Sequence, residues 1–216
     1  MEEAAISLKP GRPKDPAKHD DIVAAASRLF MEKGYELTSM EAVARLAGVS
    51  KLTVYSHFKD KNDLFRAIIR TRCDTIIMPS SFAGFSAVPP QEGLLRVATQ
   101  LMGVIYSEES LRLKRTIMSE VKRHPEMADI FYDAGPRPVR AALADLLRAY
   151  AMQGQLIISD ADIATEHFCS LIKGERYMSV LIMLEPSPQG DALKAQMQSA
   201  VTCFLNAYAP REGKSS

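Results

Sequence analysis

Three cysteines in 216 residues, Cys73, Cys169 and Cys203, are few and widely scattered. Their number is odd and no C-x-x-C pair occurs, which argues against a disulfide framework and a cysteine-built zinc site; all three read as small apolar fillers. Long hydrophobic runs are also lacking. No stretch approaches the ~20 consecutive apolar residues a membrane helix needs, and Met1 to Pro10 carries two acids and no hydrophobic signal region. The chain is therefore expected to be cytoplasmic, with no membrane partner. One-sided charge is missing as well: 27 Lys+Arg face 26 Asp+Glu, with 13 basic against 11 acidic residues up to Met78 and 14 against 15 beyond it. Any nucleic-acid contact must then come from a few locally placed basic groups and helix starts, not from a strongly basic domain. Metal catalysis in a helical bundle wants paired Glu-x-x-His motifs, and no glutamate here has a histidine three residues later. Glu120 and His124 stand four apart without a second such pair, so neither metal, cofactor nor enzymatic activity is expected.

What is present is helical patterning without a credible strand pair, since Leu156-Ile157-Ile158 is too short to build a sheet. The expected fold is all-α: an N-terminal three-helix helix-turn-helix domain and a larger C-terminal helical domain, about nine or ten helices in all. The boundaries read as a basic arm over 1–16, a helix-turn-helix domain over 17–77, a larger helical domain over 78–210 and a tail over 211–216. The arm, Leu8 to Lys14, sets Pro and Gly among basic residues, so it reads either as a segment that lies along phosphates or as a solubilising tail. Pro16 opens the first helix, in which Ile22, Ala25, Ala26, Leu29 and Phe30 recur at helical spacing, and Lys33-Gly34 ends it. Thr38-Ser39-Met40-Glu41 has the form of a capping box for a second helix running to about Leu46. Gly48 permits a sharp turn, Ser50 caps a third helix to about Phe58, and Val49 is placed to staple on Val54. Asp60 to Asp63 caps a fourth, ending before Pro79, and residues 79–90 read as a loop. Further helices are expected over 91–106, 109–124, 126–134, 137–152, 160–184 and 189–208.

Two short helices around a tight turn are too small to be stable alone, so the first helix must complete a core with Met40, Val43, Ala44, Val49, Val54 and Phe58. The third helix then keeps Val54 and Phe58 inward and turns Lys51, Thr53, Ser56 and His57 outward, where short polar and basic groups suit a major groove. Backbone N–H groups at Thr38/Ser39 and Ser50/Lys51 are placed to meet phosphate oxygens, with Tyr55, Lys59 and Lys61 as further phosphate contacts. The competing reading is a helical hairpin inside an ordinary bundle with a solvated polar face.

The run from Ile22 through Ala25-Ala26, Leu29-Phe30, Gly34-Tyr35, Thr38-Ser39-Met40, Val43-Ala44, Ala47 to Lys51, Val54-Tyr55, His57-Phe58 and Lys61 to Leu64 resembles the TetR/AcrR regulator signature over roughly residues 17–77. The resemblance implies that the Thr38/Ser39 helix start and Lys61 hold the DNA backbone, that Tyr55 and His57 contact phosphates, and that Lys51 and Thr53 reach base edges. Ser50 and Ser56 lie on the same surface, and Gly11-Arg12-Pro13 is similar to the basic arm of such regulators, which adds Arg12. Leu52 departs from the family's habit of a small residue there: it either meets a thymine methyl or marks a shifted docking angle. Arg123 to Glu126 and Ala134-Gly135-Pro136 resemble, more loosely, the AefR-type C-terminal domain.

By this resemblance the C-terminal half is a ligand pocket with a homodimer interface on its last two helices, here 160–184 and 189–208. The implied partners are double-stranded operator DNA and a small-molecule inducer. Eight of the 11 methionines follow Arg72, and flexible thioethers suit either an adaptable apolar cavity or plain core packing. The pocket candidates are Met102, Ile105, Tyr106, Ile117, Met118, Val121, Phe131, Phe168, Leu171, Ile172 and Tyr177, which point to a hydrophobic or aromatic ligand. Glu120, His124, His167, Glu175 and Arg176 are polar candidates for orienting it. The resemblance implies a ligand-responsive repressor that recognises a pseudo-palindromic operator as a homodimer and is released by the inducer; the alternative is an activator or dual regulator on the same fold, since that depends on where an operator sits relative to its promoter.

Overall fold

The computed structural model of the chain describes residues 16–76, 82 and 84–210, without the side chains of 72–76. Arg12 and the tail over 211–216 lie outside them. The contacts divide the chain into two compact units, with the break between Leu64 and Phe65. This falls inside the fourth helix, whereas the sequence boundary at 77/78 follows helix continuity.

The first unit holds α1 (Pro16–Lys33), α2 (Met40–Leu46), α3 (Lys51–His57) and the start of α4 (Lys61–Ile76). Along α1 the buried positions Ile22, Ala25, Ala26, Leu29 and Phe30 form the stripe that a 3.6-residue period requires. They meet Met40, Val43 and Ala44 of α2, and Val54 and Phe58 close the core from α3 and its C-cap. Each large side chain so buried contributes ~1.5 to 3 kcal/mol, which offsets the poor intrinsic stability of seven-residue helices. The α2–α3 joint is a Schellman turn. Gly48, at φ 68°, lets the Val49 N–H donate to the Ala44 carbonyl at 3.0 Å and its own N–H donate to Arg45 at 3.3 Å. No heavy atom lies within 4 Å of a Cβ built there, so glycine is required by conformation and not by crowding.

The second unit runs from Phe65 through a 3-10 turn (Gly84–Ala87), α5 (Pro90–Ile105), α6 (Glu108–Glu120), α7 (Glu126–Ala134), α8 (Pro136–Met152), α9 (Ala161–Lys173), α10 (Arg176–Leu181) and α11 (Gly190–Tyr208). No strand occurs among the described residues. Its core joins Leu94, Leu101 and Met102 of α5, Leu143 and Leu147 of α8, Phe168 and Ile172 of α9, and Val201 and Phe204 of α11. Phe168 meets Phe204 edge to face at 5.3 Å, and Phe204 stacks on Tyr208 at 4.5 Å. The fully buried Tyr150 satisfies its hydroxyl by donating to the Phe85 carbonyl at 2.7 Å.

Two expected helices differ. The span 160–184 is broken, because Gly174 adopts φ 58°, ψ −178°, a conformation essentially reserved for glycine, and α9 stops before it. The short α10 that follows has its last carbonyls capped by Arg115, whose Nε donates to Leu181 at 2.7 Å and Nη2 to Val180 at 3.1 Å. The span 109–124 ends at Glu120, with residues 121–123 forming a turn ahead of Pro125.

Candidate nucleic-acid interface and ligand cavity

Around α3 every joint is fixed by a short polar contact. Ser50 Oγ accepts the Thr53 N–H at 3.0 Å and lies 2.8 Å from Thr53 Oγ1, while Ser56 Oγ donates to the Thr53 carbonyl at 2.7 Å. At the start of α4, Asp60 accepts the Asp63 N–H at 2.8 Å and Asp63 accepts the Lys59 N–H at 3.1 Å. With Val54 fully buried, the opposite side of α3 presents Lys51, Leu52, Tyr55 and Ser56 outward, and Thr53 and His57 are half-buried. Leu52 is 80% exposed and lies on the same outward face. Lys51 pairs with Glu41 of α2 and lies 5.8 Å from the Tyr55 ring centre. That pairing raises the Lys51 pKa and lowers that of Glu41, in both cases through the side-chain hydrogen bond first. His57 lies half-buried beside Phe58 and 6.1 Å from the His19 ring.

Two residues expected at the DNA backbone also make contacts within the chain. Thr38 is 2% exposed, its hydroxyl donates to the Gly34 carbonyl at 2.8 Å, and its N–H donates to Tyr35 at 3.3 Å. It is a core residue, and no capping box forms on it. The N-cap is Ser39, whose Oγ accepts the Ala42 N–H at 3.1 Å, while Glu41 turns toward Lys51 instead. Lys61 is half-buried: its ammonium donates to the carbonyls of Tyr35 at 2.8 Å and Glu36 at 3.2 Å and lies 4.3 Å from the Tyr35 ring centre. Tyr35 in turn donates to Asn62. These contacts make Lys61 a tie between the end of α1 and the start of α4.

Within the second unit lies a cavity of about 350 Å³. Its wall takes Ile69 of α4, Leu101, Val104 and Ile105 of α5, Leu113 of α6, Phe131 and Tyr132 of α7, Val139 of α8, and Cys169 and Ile172 of α9. Burial pushes the Cys169 thiol pKa up. Of the eleven sequence candidates, Ile105, Phe131 and Ile172 line this space. Met102 and Phe168 are fully buried in the core, Tyr106 and Ile117 are buried, Val121 and Leu171 are half-buried, and Met118 is 58% exposed. None of these lines the cavity, nor does Tyr177, whose hydroxyl accepts from Lys114 at 2.6 Å and whose pKa burial pushes up to about 12. Among the described residues that line the cavity there is no methionine. The sequence reading missed its polar members, Ser110, Lys114, Arg140 and Lys173, because each looks like an ordinary helix-surface residue. The available signal was position. Arg140 sits three and seven residues before the buried Leu143 and Leu147, inside the apolar stripe of α8. Among the polar candidates, His167 instead lies 2.6 Å from the Tyr208 hydroxyl, and Arg176 donates to Glu185 at 3.0 Å.

Against known proteins, residues 22–68 match the model of bacterial regulatory proteins of the tetR family, and residues 92–210 match the AefR-like transcriptional repressor C-terminal domain. An HTH-type transcriptional regulator of Mycobacterium tuberculosis (strain ATCC 25618 / H37Rv) is 26% identical over 204 residues, 91% of this chain and 94% of the relative. Among solved structures, a TetR-family regulator from Mesorhizobium loti is 28% identical, with a TM-score of 0.78 over 92% of this chain and 100% of that one. The flavonoid-responsive regulator FrrA is 29% identical, with a TM-score of 0.73 over 91% and 100%. All three relatives are named as regulators, the first two of transcription. No described helix is long and apolar enough to cross a membrane. A helix-turn-helix capped at each joint, joined in sequence to an AefR-like helical domain, places the chain in the TetR family of DNA-binding transcriptional regulators.

Proposed function

We propose that this regulator is a ligand-responsive repressor that binds a pseudo-palindromic operator as a homodimer and is released by a small hydrophobic or aromatic inducer. The observation that carries the reading is the two-sidedness of α3: Val54 anchors it in the first unit's core while Lys51, Leu52, Tyr55 and Ser56 face out. A helix presented this way fits a major groove ~12 Å wide. In that pose Lys51 and Thr53 reach base edges, Leu52 covers a thymine methyl, and Tyr55, His57 and the Ser39 and Ser50 helix starts meet the sugar-phosphate backbone. Arg12 of the N-terminal arm adds a contact in the adjacent minor groove.

Dimerisation is assigned to α9 and α11, which pack on each other through Phe168 and Phe204 and keep Ile163, His167 and Cys203 exposed. Two such chains set their recognition helices ~34 to 36 Å apart, one DNA turn. An inducer acts by binding better to a dimer whose half-site spacing is wrong for DNA, so affinity falls through differential binding. Repression is favoured over activation by the likeness of residues 92–210 to a repressor's C-terminal domain. Selecting sites from a random DNA pool with the purified full-length protein tests the reading. A recovered inverted repeat with half-sites about one turn apart is expected, and recovery of no shared sequence at physiological salt overturns it.

A further inference from the structure

The cavity's walls are apolar, yet three helices each contribute one cation to its lining: Lys114 from α6, Arg140 from α8 and Lys173 from α9. No aspartate or glutamate is among the described residues that line it. In a chain whose acids and bases are nearly balanced, that local excess of one sign is a property of the site and not of the composition. Two of these cations have partners outside the lining, and the third residue is fixed through its backbone. Lys114 Nζ donates to the Tyr177 hydroxyl at 2.6 Å and lies 4.7 Å from that ring's centre. An Arg140 Nη donates at 2.8 Å to Glu166, an α9 carboxylate 64% exposed to solvent. The backbone of Lys173 is fixed by the Tyr106 hydroxyl and the Gln196 amide, which donate to its carbonyl at 3.2 and 3.1 Å.

We propose that the cavity takes a compact organic anion, an aromatic or aliphatic body bearing one carboxylate, with the acid group held by Arg140 and Lys173. The proposal rests on the ligand-responsive reading above and specifies the charge of the ligand. Cations set against an apolar wall lose hydration, and that loss is offset when a carboxylate enters beside them. A planar guanidinium matches a carboxylate two bonds at a time, and Lys173 supplies a point charge beside it. Neutral ligands gain the apolar contacts alone, and cationic ones meet like charge. At about 350 Å³ the space lies at the small end of the ~300 to 1,000 Å³ range of ligand pockets, which favours one or two rings or a medium-length chain. The rival account is that only the aliphatic stems of these side chains line the space while their charged ends stay in water.

Matched triplets separate the two accounts: 4-phenylbutanoate, its amide and 4-phenylbutylamine, with the same three head groups on naphthalene and on C8 and C12 chains. Binding to the full-length protein is read by calorimetry. Within each triplet that binds, the acid is expected to bind ~10-fold or more tighter than the amide, with the amine weakest. Arg140→Gln and Lys173→Gln should each remove most of the acid's advantage while leaving amide binding unchanged. Glu166→Gln removes the partner but keeps the cation, so it should preserve that advantage; its loss there would count against the assignment. Amides that bind as tightly as acids, or amines that rank first, would overturn the charge assignment and leave ligand response standing. Failure of every member of every triplet to bind would overturn both.

Discussion

The two units solve the problem of building a binding surface in opposite ways. In the first, each joint is set by residues within a few positions of one another: Ser39 on Ala42, Ser50 on Thr53, Asp60 on Asp63, and Gly48 with Val49 on Arg45 and Ala44. The functional face of α3 is what remains after a small core has taken Val54 and Phe58. In the second, the cavity is assembled from segments as far apart as Ile69 and Lys173, and no local rule fixes its shape. A surface built locally is rigid and can be read from spacing, whereas a cavity between long helices is free to change its lining without changing the fold.

The largest expected effect tests the first half of that contrast. Phe58→Ala removes a 3%-exposed ring from a very small core and should destabilise the first unit by ~3 to 5 kcal/mol. Hydrogen exchange should show amides of 16–64 losing protection while those of the second unit keep theirs and ligand binding persists. Uniform loss across both units would break the comparison by making them one cooperative body. A smaller effect is expected from Tyr150→Phe in the second unit, ~0.5 to 1.5 kcal/mol from the lost bond to the Phe85 carbonyl. The sign of its pH dependence is fixed by burial, which holds the Tyr150 phenol at about 12, above its ordinary 10.0. The folded state resists ionisation more than the unfolded one, so this contribution is complete below pH 10 and lost as pH rises toward 12. The phenylalanine variant should lack this part of the alkaline loss in melting temperature; an unchanged alkaline slope would assign it elsewhere.

Legibility followed the same line. The all-helical class, the α1 stripe, the Gly48 turn and the Ser50 cap were readable because periodicity and capping are local in sequence. Thr38 misled, since a threonine one position before Ser39 satisfies the same capping pattern, and only packing shows that it is buried. The tie from Lys61 to Tyr35, 26 residues away, was not legible, because no local pattern joins the two positions. In the second unit, an apolar residue facing the cavity and one facing the core carry the same periodic signal. Ile105 and Phe131 therefore stood beside Met102 and Phe168 with nothing to tell them apart.

Base discrimination by α3 is tested most directly by Lys51→Ala, because the Glu41 pair it breaks is exposed and the fold should survive. Affinity is measured for the selected operator and for every single-base variant of it, at several salt concentrations. Lys51 reading a base should appear as preference relaxing roughly ten- to a hundredfold at one symmetric pair of positions, with the others unchanged. A uniform loss across all sequences, with the salt slope falling by about 1, would mean that Lys51 holds a phosphate. No change at any position would contradict the assignment of this face of α3 to DNA.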